Sequence, residues 1–372
     1  MKRALSVLLG LAVVSCAAII DIPELRAPDG TTTDGGGGAD ACAATGAANL
    51  VVTPRGIHTA LDASHVYFTR GDPPTNNAIL RCGKCGCDSP EEIVKKIGTP
   101  GALAVDDEAI YWTESSLITG TVNRVPKSDP IAKRRIAPLE QPFALALDET
   151  YLYYTVLGGS STASLQGAGV WRAKKQDLSE PTQLTKTDAK PNDENILPYA
   201  LAVDATHVYF AVAPDLTERP EEPCNGSRGR IRRVRKDGPA NQTPETLATG
   251  QACPVAIVVH DDSISWATFG VGTASAGSIF TLPKSGGTPK LLAQEQGRPT
   301  SIAFRNGRVI WNTPANQRVV SCTAPACDDL DDVAASQVNP SGVSADASGI
   351  YWVVLGTIAQ NFTDGALRRA AP

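Results

Sequence analysis

The chain has 372 residues, of which 42% are hydrophobic and 20% are charged. Its 34 basic and 39 acidic residues give a formal net charge of −5. This composition excludes a disordered chain, and the acidic balance argues against nucleic acid as a partner. No apolar stretch outside the N-terminus is long enough to cross a membrane.

The N-terminus has the pattern of a secretion signal. A short basic start precedes an apolar run from Ala4 to Val14, which is too short to cross a bilayer as a helix. The run ends in Val13-Val14-Ser15-Cys16, which resembles the lipobox of bacterial lipoproteins. The resemblance implies that residues 1–15 are removed as a lipoprotein signal peptide and that Cys16 is lipidated, with palmitate among its acyl chains.

A chain lipidated in this way belongs to the bacterial cell envelope, with the membrane as a partner through the N-terminal lipid. Because Ala17 is not an Asp, the resemblance implies the outer membrane in a Gram-negative host. The alternative is an ordinary signal peptide cleaved near Ala17 or Ala18. Residues 16–48 include the run Gly35 to Gly38 and have no apolar period, so they predict a flexible tether. Residues 49–372 are then the folded, extracytoplasmic domain.

One pattern recurs seven times through this domain. It consists of an apolar alternation, usually an Asp, three further residues, an aliphatic residue and a pair of ring or β-branched residues. The first member of each pair is, in order, Tyr67, Tyr111, Tyr153, Tyr209, Ser265, Ile310 and Tyr351. The copies follow one another at intervals of 41 to 56 residues, about the length of one four-stranded propeller blade. The sequence therefore predicts an all-β, seven-bladed β-propeller.

The ends of the chain predict how the ring closes. The seventh copy supplies only three strands before the chain stops, whereas Asn49 to Val52 precede the first copy without a blade of their own. Pairing this N-terminal strand onto the last blade would remove an exposed sheet edge. We therefore expect the propeller to be closed by an N-terminal strand in its seventh blade.

The repeat resembles the YWTD-type propeller repeat and related bacterial surface propellers. Tyr111-Trp112-Thr113-Glu114 is the nearest match, and Gly120 to Arg124 resembles the third strand of such blades. The resemblance covers residues 57–370 and implies the fold, but it brings no catalytic residue. YWTD domains usually have six blades, so the partners of that family are not transferred to seven copies.

Eight cysteines remain after Cys16, and an even number in an exported chain favours disulfides. Two pairs are five residues apart at turns from a third to a fourth strand, one pair flanks the outer strands of the fourth copy, and two cysteines are then left. The expected pairs are Cys82–Cys87, Cys322–Cys327, Cys224–Cys253 and Cys42–Cys85. A zinc site at Cys82, Cys85 and Cys87 is the alternative, but it would need a fourth ligand and no His lies nearby in the sequence.

The repeated polar residues predict a scaffold and not a catalytic site. Asp at this turn position can accept hydrogen bonds from its own backbone, so we expect that role for Asp62, Asp106, Asp148, Asp204 and Asp346. His65 and His207 occupy the same repeat position, His58 lies near the start of the first copy, and His260 replaces the repeated Asp. No histidine that breaks the repeat is expected near a Ser or Cys, so we propose no catalytic triad, no metal site and no cofactor.

Three long loops interrupt the repeat, and all belong to the third and fourth copies. They run from Val156 to Ala168, from Thr187 to Tyr199 and from Val212 to Arg228. Long loops on a rigid scaffold are where binding residues concentrate. Their acidic residues are the candidate ligand contacts: Asp188, Asp193, Glu194, Asp215, Glu218, Glu221 and Glu222. Neutral drift of insertions is the alternative reading of the same loops.

These observations predict a surface-anchored, monomeric lipoprotein whose propeller binds a protein or glycan ligand through its loop-rich face without catalysis. The alternative is an extracytoplasmic propeller enzyme of the lactonase or lyase kind, with a site at the mouth of the central channel. Three or more acids or histidines converging there from different blades, apart from the repeated Asp set, would favour the enzyme.

Overall fold

The computed structural model describes residues 48–53, 55–71, 76–116, 119–158, 167–186, 196–214, 228–270 and 272–371. The expected signal peptide, the lipidated Cys16 and the glycine run of the tether lie outside this part of the chain. The first described strand is β1 (Ala48–Val52), and seven groups of strands follow it.

The first four groups contain four strands each. Blade 1 consists of β2 (Gly56–Leu61), β3 (His65–Arg70), β4 (Ala78–Gly83) and β5 (Glu91–Lys95). Blade 2 consists of β6 (Pro100–Val105), β7 (Ala109–Glu114), β8 (Gly120–Pro126) and β9 (Arg134–Leu139). Blade 3 consists of β10 (Pro142–Leu147), β11 (Tyr151–Val156), β12 (Gly169–Lys174) and β13 (Thr182–Lys186). Blade 4 consists of β14 (Ile196–Val203), β15 (His207–Pro214), β16 (Gly229–Arg235) and β17 (Glu245–Gln251).

The remaining groups complete the ring. Blade 5 consists of β18 (Pro254–His260), β19 (Ser263–Thr268), β20 (Ser278–Pro283) and β21 (Lys290–Gln294). Blade 6 consists of β22 (Ile302–Arg305), β23 (Arg308–Thr313), β24 (Arg318–Thr323) and β25 (Asp331–Ala334). Blade 7 consists of β26 (Pro340–Asp346), β27 (Gly349–Val354), β28 (Ala366–Ala370) and β1 as its outer strand. The described helices are two short 3₁₀ turns, Pro314–Asn316 and Ile358–Gln360, and no helix in these residues is long and apolar enough to cross a membrane.

The first strand of each blade lies at the centre of the ring. Each of these inner strands contacts the inner strand of the next blade, and β26 of blade 7 contacts β2 of blade 1. All seven sheets are antiparallel and four-stranded. The all-β, seven-bladed propeller predicted from the repeat is therefore confirmed.

The predicted closure of the ring is also confirmed. β1 pairs antiparallel with β28, with Ala48 opposite Arg369 and Val52 opposite Ala366. Without this strand, the backbone groups of β28 would form an exposed sheet edge. Closure therefore joins the two ends of the described chain within one sheet.

The paired ring residues of the repeat explain how neighbouring blades pack. Successive side chains of a strand point to opposite faces of the sheet, and every blade has a neighbour on both faces. Tyr111 and Trp112 of blade 2 are both fully buried, and so are Tyr351 and Trp352 of blade 7. The second strands, such as β7 and β27, therefore lack the apolar–polar alternation of a sheet with one solvent-exposed face.

A glutamine before the inner strand caps the buried Trp in three consecutive blades. The Nε1 of Trp266, Trp311 and Trp352 donates to the side-chain oxygen of Gln251, Gln296 and Gln337 respectively, at 2.8, 3.0 and 3.0 Å. Each glutamine lies fifteen residues before its Trp. The blade-to-blade connections are thereby tied to the core, a feature that the sequence analysis did not identify.

Removing one of these caps should be costly. A Gln296→Leu substitution leaves the buried Trp311 Nε1 without its partner, so we expect the free energy of unfolding to fall by about 1–3 kcal/mol. Gln294→Leu, at the exposed last position of β21, is the matched control and should stay within about 0.5 kcal/mol of the parent. Chemical denaturation of both variants measures the difference, and equal stabilities would contradict the capping role.

Candidate functional site

The repeated Asp residues hold the turns between the first and second strands. In Asp148, Oδ1 accepts the backbone N–H groups of Thr150 and Tyr151 at 2.8 and 2.7 Å. The same pair of bonds occurs at Asp62, Asp106 and Asp204, and Asp346 accepts the N–H of Ser348. The turn role predicted for these carboxylates is confirmed.

The second carboxylate oxygen links each of these blades to the next one. Asp148 Oδ2 accepts the Tyr153 hydroxyl of its own blade at 2.8 Å and pairs with Lys236 of blade 4 at 2.6 Å. The lysine always follows the third strand of the next blade. The five ion pairs are Asp62–Lys127, Asp106–Lys175, Asp148–Lys236, Asp204–Lys284 and Asp346–Lys84. We call the surface that carries these turns the turn face.

Lysines and backbone donors together favour the ionised form of four turn carboxylates. Burial alone would raise the pKa of Asp148, but hydrogen bonds from Lys236 and from the Tyr151 and Thr150 N–H groups outweigh it and hold the pKa below its usual range. The pKa of Asp62, Asp106 and Asp204 is lowered by the same competition between burial and donors. These carboxylates are engaged in contacts that hold the scaffold together.

Blade 5 departs from this arrangement at the turn and on its second and third strands, although it keeps the lysine that pairs with blade 4. His260 replaces the Asp and Ser265 replaces the Tyr. On the neighbouring strand, Thr281 stands opposite Ser265. In blades 1, 2, 3, 4 and 7, the residue opposite the Tyr is an Arg, as in the pair of Tyr351 and Arg369. Ala324 of blade 6 takes the place of the lysine and makes the same backbone bond, from its N–H to the Gly307 carbonyl.

The structure places His260 against a serine, a contact that sequence reasoning missed. His260 Nε2 lies 2.8 Å from Ser265 Oγ, and Ser265 Oγ lies 3.0 Å from Thr281 Oγ1. Thr281 in turn donates to the Ile264 carbonyl at 3.1 Å. Since a carbonyl can only accept, each hydroxyl proton points away from His260, and the Nε2–H donates to Ser265. The ring cannot take the Ser265 proton in this order, so the pair is not an activated nucleophile.

His58 is the other buried histidine that breaks the repeat. The equivalent residue in the next three blades is an alanine: Ala102, Ala144 and Ala200. The side chain of His58 is only 1% exposed. Burial lowers its pKa to about 4, and the Pro100 backbone offsets only part of that effect. The ring is therefore neutral at neutral pH.

His65 and His207 take equivalent scaffold positions, as predicted. Each begins the second strand of its blade, and its Nδ1 lies 2.7 or 2.8 Å from the hydroxyl of the preceding residue, Ser64 or Thr206.

Two of the expected disulfides are present. Cys82–Cys87 and Cys322–Cys327 are bonded, with Cα–Cα distances of 5.5 and 4.9 Å. Cys85 and Cys253 are disulfide-bonded as well, but Cys42 and Cys224, their expected partners, lie outside the described residues. The alternative zinc site at Cys82, Cys85 and Cys87 is wrong, because all three thiols are in disulfides.

The three insertions are joined to strand ends that lie on the same side of two adjacent sheets, those of blades 3 and 4. Val156 stands opposite Gly169 and Gly169 opposite Lys186 in blade 3, while Ile196 stands opposite Pro214 in blade 4. We call these strand ends, together with Gly229, the loop edge. It lies on the opposite face to the turns, because antiparallel strands alternate in direction.

The connections before and within blade 4 are shorter in the structure than predicted from the sequence. Thr187 to Tyr199 was expected as one loop, but β14 begins at Ile196, and β15 continues to Pro214 although Val212 was expected to begin the next loop. The hairpin gains the pairs Ile196–Pro214 and Leu197–Ala213. With eight residues each, β14 and β15 are the longest strands described. The candidate acids Asp188, Asp193, Glu194, Asp215, Glu218, Glu221 and Glu222 lie outside the described residues.

Within the described ranges, no group of three or more His, Cys, Asp or Glu side chains is placed to hold a metal ion.

Comparisons with known proteins agree on the fold. No protein-family model matches the chain, and no curated protein sequence matches it. A streptogramin B lyase structure is similar, with 12% identity, a TM-score of 0.60, and coverage of 88% of this chain and 97% of the lyase. A catalytically inactive virginiamycin B lyase from Staphylococcus aureus, crystallised with quinupristin, has 15% identity and a TM-score of 0.59 over 88% of this chain and 98% of the lyase. A chain of the nidogen/laminin complex has 14% identity and a TM-score of 0.44 over 78% and 86%. At these identities the two lyase structures show a shared propeller fold alone.

Proposed function

We propose that the chain is a surface-anchored bacterial lipoprotein whose propeller binds a protein or glycan ligand at the loop edge, without catalysis. The observation that carries this proposal is the placement of the insertions. All three leave one edge of blades 3 and 4, whereas the repeated carboxylates and lysines are engaged in pairs that link the blades. The positions free to vary for recognition are therefore concentrated at that edge.

The composition of the insertions suggests the character of the ligand. Residues 187–195 and 215–227 contain seven acidic and two basic residues, and residues 157–168 contain no charged residue. A surface with this charge attracts ligands that carry basic groups or many hydrogen-bond donors. A basic protein segment and an amino-sugar glycan are the ligand types that fit.

The lipid anchor is the second part of the proposal. The Val13-Val14-Ser15-Cys16 segment and the disulfides of the propeller are both typical of an exported chain. A tether from Cys16 would leave the loop edge free to meet a ligand outside the cytoplasm. The chain would work as a monomer, since ring closure within one chain pairs the β28 edge.

A glycan array and a panel of basic peptides test this proposal on the full-length chain in detergent. We expect saturable binding that weakens at least tenfold when residues 187–195 are replaced by a short Gly-Ser linker. Shortening residues 270–277 of blade 5, which also join a second to a third strand, is the matched control and should leave binding unchanged. Turnover of quinupristin, or array binding that survives the 187–195 replacement, would contradict the proposal.

A further inference from the structure

We propose that a cavity between blades 5 and 6, on the turn face, binds a primary ammonium group. The cavity measures about 90 Å³, and His260, Asp261, Thr281, Phe304 and Ala324 lie in its wall. This volume has room for about three groups the size of a water molecule. The inference is independent of the proposed function at the loop edge.

The chain itself shows which group fits this place. At five of the seven blade interfaces, a lysine that follows the third strand reaches back to the turn carboxylate of the preceding blade. At the interface of blades 5 and 6 the equivalent residue is Ala324, as its backbone bond to Gly307 shows. The cavity therefore occupies the position that a lysine ammonium group takes elsewhere in the ring.

The polar atoms at the cavity require a donor. The bond chain through Ser265 and Thr281 to the Ile264 carbonyl places the ring proton of His260 on Nε2. Burial keeps the ring neutral by lowering its pKa to about 4, so Nδ1 has a lone pair. Asp261 Oδ2 lies 3.9 Å from this Nδ1, and its side chain is 75% exposed while that of His260 is 4% exposed. Two acceptors thus face one another, and an ammonium group between them can donate to both.

The side chains around the cavity leave room for a small cation, and the neighbouring Lys284 and Arg305 do not occupy its acceptors. Phe304 stacks on the His260 ring at a centroid distance of 3.9 Å and fixes its orientation. Lys284 is the cation that lowers the pKa of His260, but its Nζ pairs with Asp204 at 3.5 Å. Arg305, on the neighbouring turn, donates to the Ala347 carbonyl of blade 7. The acceptors of the cavity are thus left to an external donor.

Nuclear magnetic resonance of the ¹⁵N-histidine-labelled chain tests the proposal, with ethylammonium as the probe. In the free protein, His260 should have a protonated Nε2 and an unprotonated Nδ1. Ethylammonium should shift the Nδ1 signal saturably, with a dissociation constant on the order of 1 mM for so small a ligand. Ethanol, which has the same shape without the charge, should bind at least tenfold more weakly. A reversed tautomer, or equal binding of ethanol, would overturn the inference.

Three variants separate this site from general amine effects. Ala324→Lys supplies the ammonium group from within the chain, so it should shift Nδ1 in the same direction and abolish the response to ethylammonium. Ala371→Lys, directly after β28 of blade 7 and away from the cavity, is the control and should leave that response unchanged. Asp261→Asn should weaken binding about two- to fivefold. An Ala324→Lys protein that still binds ethylammonium would overturn the proposal, as would tight, saturable Zn²⁺ binding that displaces ethylammonium.

The source of the ammonium group is resolved by a further experiment with the peptide N-acetyl-Gly-Lys-Gly-amide, whose only primary ammonium group is that of the lysine side chain. Binding of the peptide as tight as that of ethylammonium, and lost in Ala324→Lys, would support the lysine side chain of a partner protein. Binding of ethylammonium alone would support a free small amine. Failure of both probes would overturn this inference without affecting the proposed role of the loop edge.

Discussion

The free energy of unfolding is expected to fall steeply as the pH drops from about 6.5 to 4, by about 3 kcal/mol for each buried histidine. His58 and His260 carry this effect, because burial lowers the pKa of each to about 4. Between these pH values the two histidines bind protons in the unfolded chain but stay neutral in the folded chain. The stability that is present above the unfolded pKa is therefore lost as the pH falls.

The turn carboxylates extend the loss to lower pH. The folded pKa of Asp62, Asp106, Asp148 and Asp204 lies below the usual value. Their contribution is complete above the unfolded pKa of about 4 and is lost as the pH falls through the folded values. The two sets of groups therefore act in sequence, histidines first and carboxylates second.

His58→Ala isolates one histidine, because it installs the residue that Ala102, Ala144 and Ala200 provide in other blades. The variant should lose about half of the change in stability between pH 6.5 and 4, whatever its stability at pH 7. Ile79→Ala, a fully buried truncation without a titratable group, is the control and should keep the full slope. Urea denaturation at a series of pH values gives both slopes, and an unchanged slope in His58→Ala would contradict the account.

Replacing Val51 by Asp in the closing strand should lower the free energy of unfolding by roughly 2–3 kcal/mol. Val51 is 9% exposed and belongs to the cluster formed with Val66, Phe68 and Leu367 across the joint between blades 7 and 1. A carboxylate placed there meets apolar side chains and weakens the strand that closes the ring.

The adjacent residue is the matched control for that substitution. Val52 is 61% exposed on the same strand, so Val52→Asp should change stability by less than about 0.5 kcal/mol. Thermal unfolding of the two variants side by side checks the difference. Equal melting temperatures would mean that β1 does not close the ring in solution.

The fold could be predicted from the sequence because each blade repeats one strand pattern in its own residues. The paired ring residues mark the second strand, the turn Asp marks the first hairpin, and the incomplete seventh copy indicates that β1 must pair with β28. Cys82–Cys87 and Cys322–Cys327 were predictable for the same reason, since both bonds are local to one hairpin.

The links between blades were harder to predict. Asp62 and Lys127 are 65 residues apart, and their contact depends on how one blade rests against the next. The signal was present, since a lysine follows the third strand in five copies, but its partner is set by packing and not by spacing. The contact of His260 with Ser265 was missed for a related reason. Only the antiparallel pairing of β18, β19 and β20 brings the departures of blade 5 together.

The candidate site could be predicted only as a position in the fold. The insertions mark blades 3 and 4, and the strand ends confirm that they share one edge. Their acids have no repeat to align them, because insertions follow no common spacing. The proposed character of the ligand therefore rests on the charge of the insertions.

Hydrogen–deuterium exchange of the full-length chain with its strongest array ligand is the most direct test of binding at the loop edge. We expect protection in peptides that contain Val156, Lys186 and Pro214, and none at the turns of blades 5 and 6. Protection confined to the inner strands around the central channel, or to the turn face, would contradict the account.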